Sequence, residues 1–306
     1  MNDSGQVVGS YNIHGFLYSN GVTTPIDFPG ASGTYVSGIN SSGQIVGHYW
    51  APDGTNGGFL LSNGVFTTIQ FPGALATYAA AINASGQIAG TYGDATGEHG
   101  FIYDNGSFTS FSAPGVEGTF AYAINDNGKV AGDTKLLFGG RGPGFVYSNG
   151  ILNTFVYPGV ILGQGVSAIN ATGQVAGWYE DGNGHYHGYN YNQGVLTPFD
   201  FPNAHETFVE DINDGGQIVG GYASSTGNNH GYLLDHGIYT SLDTFDVTYA
   251  SPYSINGSGQ IAGTYTIANE VHGFLATPVT AAVPVPAAIW LFASGLAGLG
   301  IIGRKK

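Results

Sequence analysis

Five histidines recur at the same place in a repeated segment, and imidazole is a common metal ligand and proton carrier. They are His14, His99, His187, His230 and His272. A zinc site needs three or four ligands converging within about 2.0–2.1 Å of one ion, whereas one histidine per repeat spreads the ligands around the molecule. We therefore predict that these histidines are structural, each bonding to a neighbouring strand or loop, and we predict no metal site.

Two further features could bind metal ions. His185 and His187 are the one pair of histidines close in sequence, and local metal binding there is the alternative to a structural role. The segments 52–58, 93–100 and 180–185 carry oxygen ligands, but none has the twelve-residue calcium loop with its terminal glutamate. We predict no cofactor, with weak calcium binding in these loops as the alternative.

Carboxylates offer little for catalysis. Asp27, Asp200 and Asp243 occupy matching places in the repeats, and Glu210 and Asp211 are adjacent, so on a strand they face opposite sides. Glycoside hydrolysis needs two carboxylates about 5–9.5 Å apart, and no pattern pairs any of these. The chain lacks cysteine, a GxSxG elbow and a Walker loop. We predict no catalytic residues.

The elements that position these side chains are repeats. The segment INSSGQIVG at 39–47 returns five times downstream with small changes, and MNDSGQVVG at 1–9 is a seventh copy. The central glycines, 38 to 45 residues apart, are Gly5, Gly43, Gly86, Gly128, Gly173, Gly216 and Gly259. A second signature is HGFLYSNG at 14–21, and a third is an aromatic-proline-glycine break such as FPG at 28–30.

Each signature predicts a turn between β-strands. Ile-Asn-x-x-Gly-Gln fits a type I turn followed by a left-handed glycine, Asn-Gly a type I′ turn, and Pro-Gly a type II turn. The second repeat thus contains four strand-like runs, a (34–39), b (44–49), c (59–62) and d (65–71). Four strands in about 43 residues is the size of a propeller blade. The sequence predicts an all-β propeller over residues 1–276.

The number of strand-like runs indicates how the propeller closes its ring of blades. Runs b and c occur seven times and runs a and d six times, so one d and one a are missing. We predict a seven-bladed propeller whose closing strand lies upstream of Met1, with six blades or an open array as alternatives. Met1 lies within a repeat and begins no signal peptide, which indicates a start codon placed too far downstream.

Charge limits the partners. The chain has 6 basic and 20 acidic residues, which excludes the basic surface that nucleic acids require. Three of the six cations are Arg304, Lys305 and Lys306, at the very end. Before them, 287–303 is uncharged, and as a helix at about 1.5 Å per residue it would nearly span a membrane. The positive-inside rule puts the repeats outside the cell; a buried core helix is the alternative.

The tail resembles a PEP-CTERM sorting signal of the VPxPA type. Val283, Pro284, Pro286 and Ala287 match the motif, 287–303 matches the span, and 304–306 matches the basic end. Val285 departs from the commonest form, which has glutamate. The resemblance implies a Gram-negative bacterium and an exosortase partner, a membrane protease that removes the tail near the prolines during export. We assign 277–282 as a linker and 283–306 as the signal.

The repeats resemble the HAF-repeat family of extracellular proteins, named for a His-Ala-Phe triplet that stands here as His-Gly-Phe or His-Gly-Tyr. The likeness implies an exported protein without assigned activity. We expect a non-enzymatic cell-surface or matrix protein in a biofilm context that binds polysaccharide or surface proteins. The alternatives are a carbohydrate-active hydrolase or lyase on the same propeller, and a structural surface layer. Convergence of 179–187 with 205–211 in one pocket would favour the enzyme.

Overall fold

The repeats fold entirely into antiparallel strands and tight turns. A computed structural model describes residues 1–278 apart from 138, 160–162, 226, 228, 244–248 and 269. Within these residues the chain forms 27 strands and no helix. The composition explains this, because β-branched and aromatic residues alternate with glycine and asparagine turns throughout. The all-β prediction is confirmed.

The strands form seven groups in chain order, named here sheets I to VII. Sheet I contains β1 (Val7–Tyr11), β2 (His14–Ser19) and β3 (Val22–Ile26). Sheet II contains β4 (Gly33–Ile39), β5 (Ile45–Trp50), β6 (Asn56–Ser62) and β7 (Val65–Ile69). Sheet III contains β8 (Ala76–Ile82), β9 (Ile88–Asp94), β10 (Gly97–Asp104) and β11 (Ser107–Phe111). Sheet IV contains β12 (Gly118–Ile124), β13 (Val130–Lys135), β14 (Arg141–Ser148) and β15 (Ile151–Phe155).

The remaining sheets follow the same plan. Sheet V contains β16 (Gln164–Ile169), β17 (Val175–Glu180), β18 (Tyr186–Asn192) and β19 (Val195–Phe199). Sheet VI contains β20 (Glu206–Thr207), β21 (Asp211–Ile212), β22 (Ile218–Ala223), β23 (Asn229–Asp235) and β24 (Ile238–Ser241). Sheet VII contains β25 (Tyr249–Ile255), β26 (Ile261–Ile267) and β27 (Glu270–Ala276).

Within each sheet, strands that follow one another in sequence pair antiparallel, except that β20 and β21 both pair with β22. Two single parallel pairs, Asn56 with Ala76 and Glu98 with Gly118, connect sheets II, III and IV. The repeat pattern predicts run c at 59–62, whereas β6 begins at Asn56, because the glycines before Phe59 also pair with β5. The first strand of sheet VI is broken into β20 and β21, which the repeat pattern does not predict.

A β-bulge in the first strand explains the last glycine of the INxSGQIVG motif. In sheet IV the register of β12 against β13 shifts between Ala121 and Ala123. A Cβ placed on Gly132 would lie 1.9 Å from the carbonyl oxygen of Phe120 and 2.9 Å from the ring of Phe145. The bulged carbonyl and the third-strand ring therefore leave room for a hydrogen atom alone.

The hydrophobic core lies between neighbouring sheets. Ala131 of sheet IV packs with Val166, Val175 and Tyr189 of sheet V, and equivalent clusters join each consecutive pair from sheets I and II to sheets VI and VII. Sheets II to VI thus bury both faces against their neighbours, so the core consists of repeated interfaces.

The predicted sorting signal at 283–306 lies outside the described residues, as does most of the predicted linker at 277–282. Among the residues that the structure does describe, no helix is long and apolar enough to cross a membrane.

Candidate functional site

One end of the fold is built by the asparagine turns. Asn40 is 4% exposed, and its Oδ1 accepts hydrogen bonds from the backbone N–H groups of Ser42 and Gln44 at 3.1 and 3.0 Å. Its Nδ2 donates to Gln44 Oε1 at 2.8 Å and to the backbone oxygen of Asn83, in the next repeat, at 3.0 Å. The asparagine therefore closes its own turn and binds the following sheet at once.

The bond from Nδ2 to the next carbonyl recurs around the molecule and returns to its start. In order, the residues joined are Asn2, Asn40, Asn83, Asn125, Asn170, Asn213, Asn256 and again Asn2. The central glycines of the same turns have positive φ: Gly43 (76°), Gly86 (88°), Gly128 (71°), Gly173 (90°), Gly216 (78°) and Gly259 (75°). A residue with a side chain rarely adopts this conformation.

The repeated histidines lie at the other end, named here the loop face, where the second-to-third-strand loops meet the connections between sheets. Four of them contact the residue 13 positions later, at the end of the fourth run. The contacts from Nδ1 are His14 to Asp27 at 2.8 Å, His99 to Ser112 at 2.7 Å, His187 to Asp200 at 3.0 Å, and His230 to Asp243. The sequence contains both residue sets but does not show their pairing, because the register of two strands decides which side chains meet.

Three of these histidines, His99, His187 and His230, also join a row of aromatic rings between sheets. Tyr92 of β9 lies 3.6 Å from the ring of Phe71, which precedes its sheet, and 5.0 Å from the ring of His99. The same stack joins Phe201, Tyr222 and His230. A histidine held between a tyrosine ring and a carboxylate or hydroxyl has its ring face and one nitrogen occupied. This arrangement fits the structural role expected for the repeat histidines.

Aromatic rings form two runs on the loop face. The first is Tyr35, His48 and Tyr78, with successive ring centroids 5.1 Å apart, and Trp50 lies 5.0 Å from Tyr35. Burial lowers the pKa of His48, so its ring is neutral near neutral pH. Trp50 remains 45% exposed.

The second run crosses from sheet V to sheet VI, through Trp178, Tyr186 and Phe208. Successive ring centroids are 5.2 and 4.9 Å apart, and the guanidinium of Arg141 lies 5.1 Å from the Trp178 ring. Both runs place large rings next to one another at junctions between sheets.

Arg141 also holds a buried carboxylate. Its Nη1 donates to Asp133 Oδ2 at 2.7 Å, and Tyr122 donates to Asp133 Oδ1 at 3.1 Å. The Asp133 side chain is 2% exposed. Burial raises its pKa to about 6, against the opposing charge of Arg141.

The adjacent acids Glu210 and Asp211 lie around the break between β20 and β21. Asp211 Oδ2 accepts hydrogen bonds from Ser254 Oγ and the Ile255 N–H of sheet VII, both at 2.9 Å. Burial raises the pKa of Asp211. Its carboxylate is thus engaged in holding sheet VI to sheet VII, which is a structural task.

The oxygen-rich loops use their carboxylates as turn caps. Asp53 Oδ1 accepts from the N–H and the hydroxyl of Thr55 at 2.9 and 2.7 Å. Asp181 Oδ1 accepts from the N–H groups of Asn183 and His185 at 2.8 and 3.0 Å, and these bonds, that from His185 first, lower the pKa of Asp181 to about 2. Such capping accounts for these residues without calcium.

His185 lies close to two residues that no sequence pattern pairs with it. Its ring centroid lies 4.2 Å from that of His205, and the ligand atoms of His185, His205 and Glu206 all lie within 4.8 Å of one another. The signal available in the sequence was the departure of both segments from the repeat, at 179–187 and 205–211. Their convergence depends on the contact between sheets V and VI.

No protein-family model matches the sequence, and no curated protein matches it. Solved structures do resemble the fold. The β-propeller domain of the Trilobed protease from Pyrococcus furiosus superposes with a TM-score of 0.62 at 11% identity, over 86% of this chain and 83% of that one. TolB from Acinetobacter baumannii gives a TM-score of 0.53 at 14% identity, over 89% and 76%. These identities establish similarity of fold alone, and the chain is therefore a β-propeller.

Proposed function

We propose that the propeller is a closed ring of seven blades, sheets I to VII. The circle of asparagine hydrogen bonds carries this proposal, because an open array would leave one asparagine at its edge. Between the first and last sheets, Asn256 Nδ2 donates to the Asn2 carbonyl at 3.1 Å and the Gly257 N–H donates to Asp3 Oδ1 at 2.8 Å.

We further propose that the protein is exported and is not an enzyme, and that exosortase sorts it to the cell surface or extracellular matrix through 283–306. The supporting observation is the order of the tail: a Val-Pro-Val-Pro-Ala motif, an uncharged stretch and a basic end. The helix at 287–303 serves as a transient membrane anchor in this proposal, and the acidic propeller lies outside the membrane.

Mass-spectrometric mapping of the C-terminus in the native bacterium tests the sorting. We expect a new C-terminus near Pro284–Pro286 in wild-type cells and an uncut chain ending at Lys306 when the exosortase gene is deleted. An intact Lys306 in wild-type cells would contradict the proposal.

As a binding module, the propeller would take polysaccharide or a surface protein on its loop face. The repeat histidines and the acids paired with them are engaged in packing, whereas the rings around Trp50 remain partly exposed. Aromatic side chains offer broad contact surfaces with polar edges, as binding surfaces require. We expect the full chain to bind on a glycan array, and Trp50→Ala to weaken this binding, while Val65→Ala, an exposed side chain at the opposite end, leaves it intact.

One observation favours a second candidate, a carbohydrate-active hydrolase or lyase. The segments around His185 and His205 converge at one junction, as an enzyme on this scaffold would require. Incubation of the full chain with matrix polysaccharides, followed by a reducing-end assay, distinguishes the two functions. Release of new ends by the wild-type chain but not by His205→Ala would support the enzyme.

A further inference from the structure

We propose that His185, His205 and Glu206 form a binding site for a single divalent transition-metal ion of the zinc class, at the junction of sheets V and VI. Two imidazoles and one carboxylate are a donor set that suits zinc. The site is independent of the sorting and of the binding module proposed above.

The loop that carries His185 has the same backbone hydrogen bond as its counterpart in another sheet, but its side chain departs from the repeat. In the loop of sheet II, the Ala51 N–H donates to the carbonyl of Thr55 at 2.9 Å; in sheet V, the Asp181 N–H donates to the carbonyl of His185 at the same distance. Thr55 and His185 are therefore equivalent, and the loop conformation does not require an imidazole.

The other two ligands also replace inert residues. Leu75 donates its backbone N–H to the Gly93 carbonyl and His205 donates its own to the Ala223 carbonyl, both at 2.8 Å. Gly93 and Ala223 hold the same place in the second strand of their sheets, counted from Ile88 and Ile218, so Leu75 and His205 are equivalent. The next residues are Ala76 and Glu206. At the junction of sheets II and III the three positions thus hold threonine, leucine and alanine. At the junction of sheets V and VI, the same three positions hold two histidines and a glutamate, and there the side chains lie close together.

The backbone fixes both ligand segments in place before any ion binds. The turn that carries His185 is capped by Asp181, and Gly184 within it has a φ of 85°. His205 is tied to β22 by its N–H, and Glu206 pairs directly with Ala223. Because the backbone is already fixed, metal binding has to order the side chains alone.

An unsatisfied atom points to a ligand at the same place. His185 Nδ1 is shielded from solvent and has no hydrogen-bond partner. Buried polar atoms in native proteins are nearly always paired, and an exception calls for an explanation such as a bound ion. Coordination at this histidine would remove the desolvation cost that the atom now bears.

The distances require only a small contraction. In a tetrahedral site with bonds of about 2.0–2.2 Å, ligand atoms lie about 3.3–3.6 Å apart, whereas these three lie within 4.8 Å of one another. Rotation of the exposed His205 side chain supplies much of this change. A cavity of about 230 Å³ borders His205 and Glu206, lined also by Ser225 and Asn229. Through it the ion reaches the site, and a fourth coordination position stays open to water.

The test is titration of the purified, metal-free full chain with ZnCl₂, followed by calorimetry, and with CoCl₂, followed by visible absorption. We expect one tight site per chain and visible absorption bands typical of cobalt with a low coordination number. Millimolar calcium should not compete, because calcium prefers oxygen ligands. His185→Ala and His205→Ala should each weaken zinc binding at least about 100-fold, since removing a ligand costs more than the 10–100-fold lost with an outer-shell partner.

Two further variants separate the site from general effects. Glu206→Gln keeps the shape of the side chain and should weaken zinc binding at least about 10-fold. His99→Ala removes a histidine of the repeat and should leave the affinity unchanged, and circular dichroism checks that each variant is folded. The proposal is overturned if the wild type binds no zinc, if His185→Ala and His205→Ala retain its affinity, or if His99→Ala loses as much as they do.

Discussion

At the residue scale, most of the polar side chains that suggest chemistry are engaged in joining one sheet to the next. His99 stacks on Tyr92 and contacts Ser112, and Asp211 bridges two sheets. The sequence shows that the histidine of His99 recurs in other repeats, which is sufficient to favour a structural role for it. It does not show which pairs form, because the pairs depend on strand register and on contacts about 40 residues distant.

Asp133 is a buried acid whose protonation should influence stability. Its pKa rises from 3.8 in the unfolded chain to about 6 in the fold, so the folded state binds the proton more tightly. The contribution of Asp133 to the free energy of unfolding is therefore fully present below about pH 4 and is lost as the pH rises through about 6. Relative to Asp133→Asn, the wild-type free energy of unfolding should fall by about 3 kcal/mol between about pH 4 and pH 7.

Urea unfolding at a series of pH values measures this difference. Asp53→Asn is the control, because bonds from Thr55 lower the pKa of Asp53, and its effect should have the opposite sign. If the difference in free energy of unfolding between the wild type and Asp133→Asn did not change with pH, the raised pKa of Asp133 would be refuted.

At the element scale, the sequence predicts the type and order of nearly every strand because each turn has its own chemistry. Asn20 and Gly21 both have positive φ, as the type I′ turn expected from Asn-Gly requires. The break between β20 and β21 escaped prediction, since Phe208 and Val209 are ordinary strand residues. Sheets II, III, IV, V and VII carry a bulge at this place. The bulge is a feature of the backbone, and the sequence shows it indirectly through the glycine of the facing strand.

That glycine gives a test of the bulge. Gly132→Ala would place a methyl group against the Phe120 carbonyl, and backbone cannot move aside as a flexible side chain can. We expect a loss of at least about 2 kcal/mol in the free energy of unfolding. Gly93→Ala is the matched control, because a Cβ there meets no atom within 4 Å. Equal effects of the two substitutions would refute the steric explanation.

At the scale of the whole molecule, the spacing of the repeats and their composition predict the all-β propeller. The site at His185, His205 and Glu206 could be predicted only in part. Both segments are visible as departures from the repeat, but their meeting requires knowing that the loop of one sheet touches the strand that enters the next. The proposed closure of the ring likewise depends on contacts between the two ends of the described repeats.

Closure can be tested with two asparagines in matched surroundings. Asn40 and Asn256 are both 4% exposed, and each makes the same four hydrogen bonds, three within its turn and one to the next repeat. The turn bonds are local and form in either a ring or an open array. The fourth bond of Asn256 reaches Asn2 and exists in a closed ring alone.

We therefore expect Asn40→Ala and Asn256→Ala to lower the free energy of unfolding equally, to within about 0.5 kcal/mol. In an open array the last repeat would face solvent, and Asn256→Ala would cost about 1 kcal/mol less, the net value of one hydrogen bond. Urea unfolding of the two variants, with Asn213→Ala as a second interior reference, distinguishes these outcomes. A smaller effect at Asn256 than at both interior asparagines would rule out the closed ring in solution.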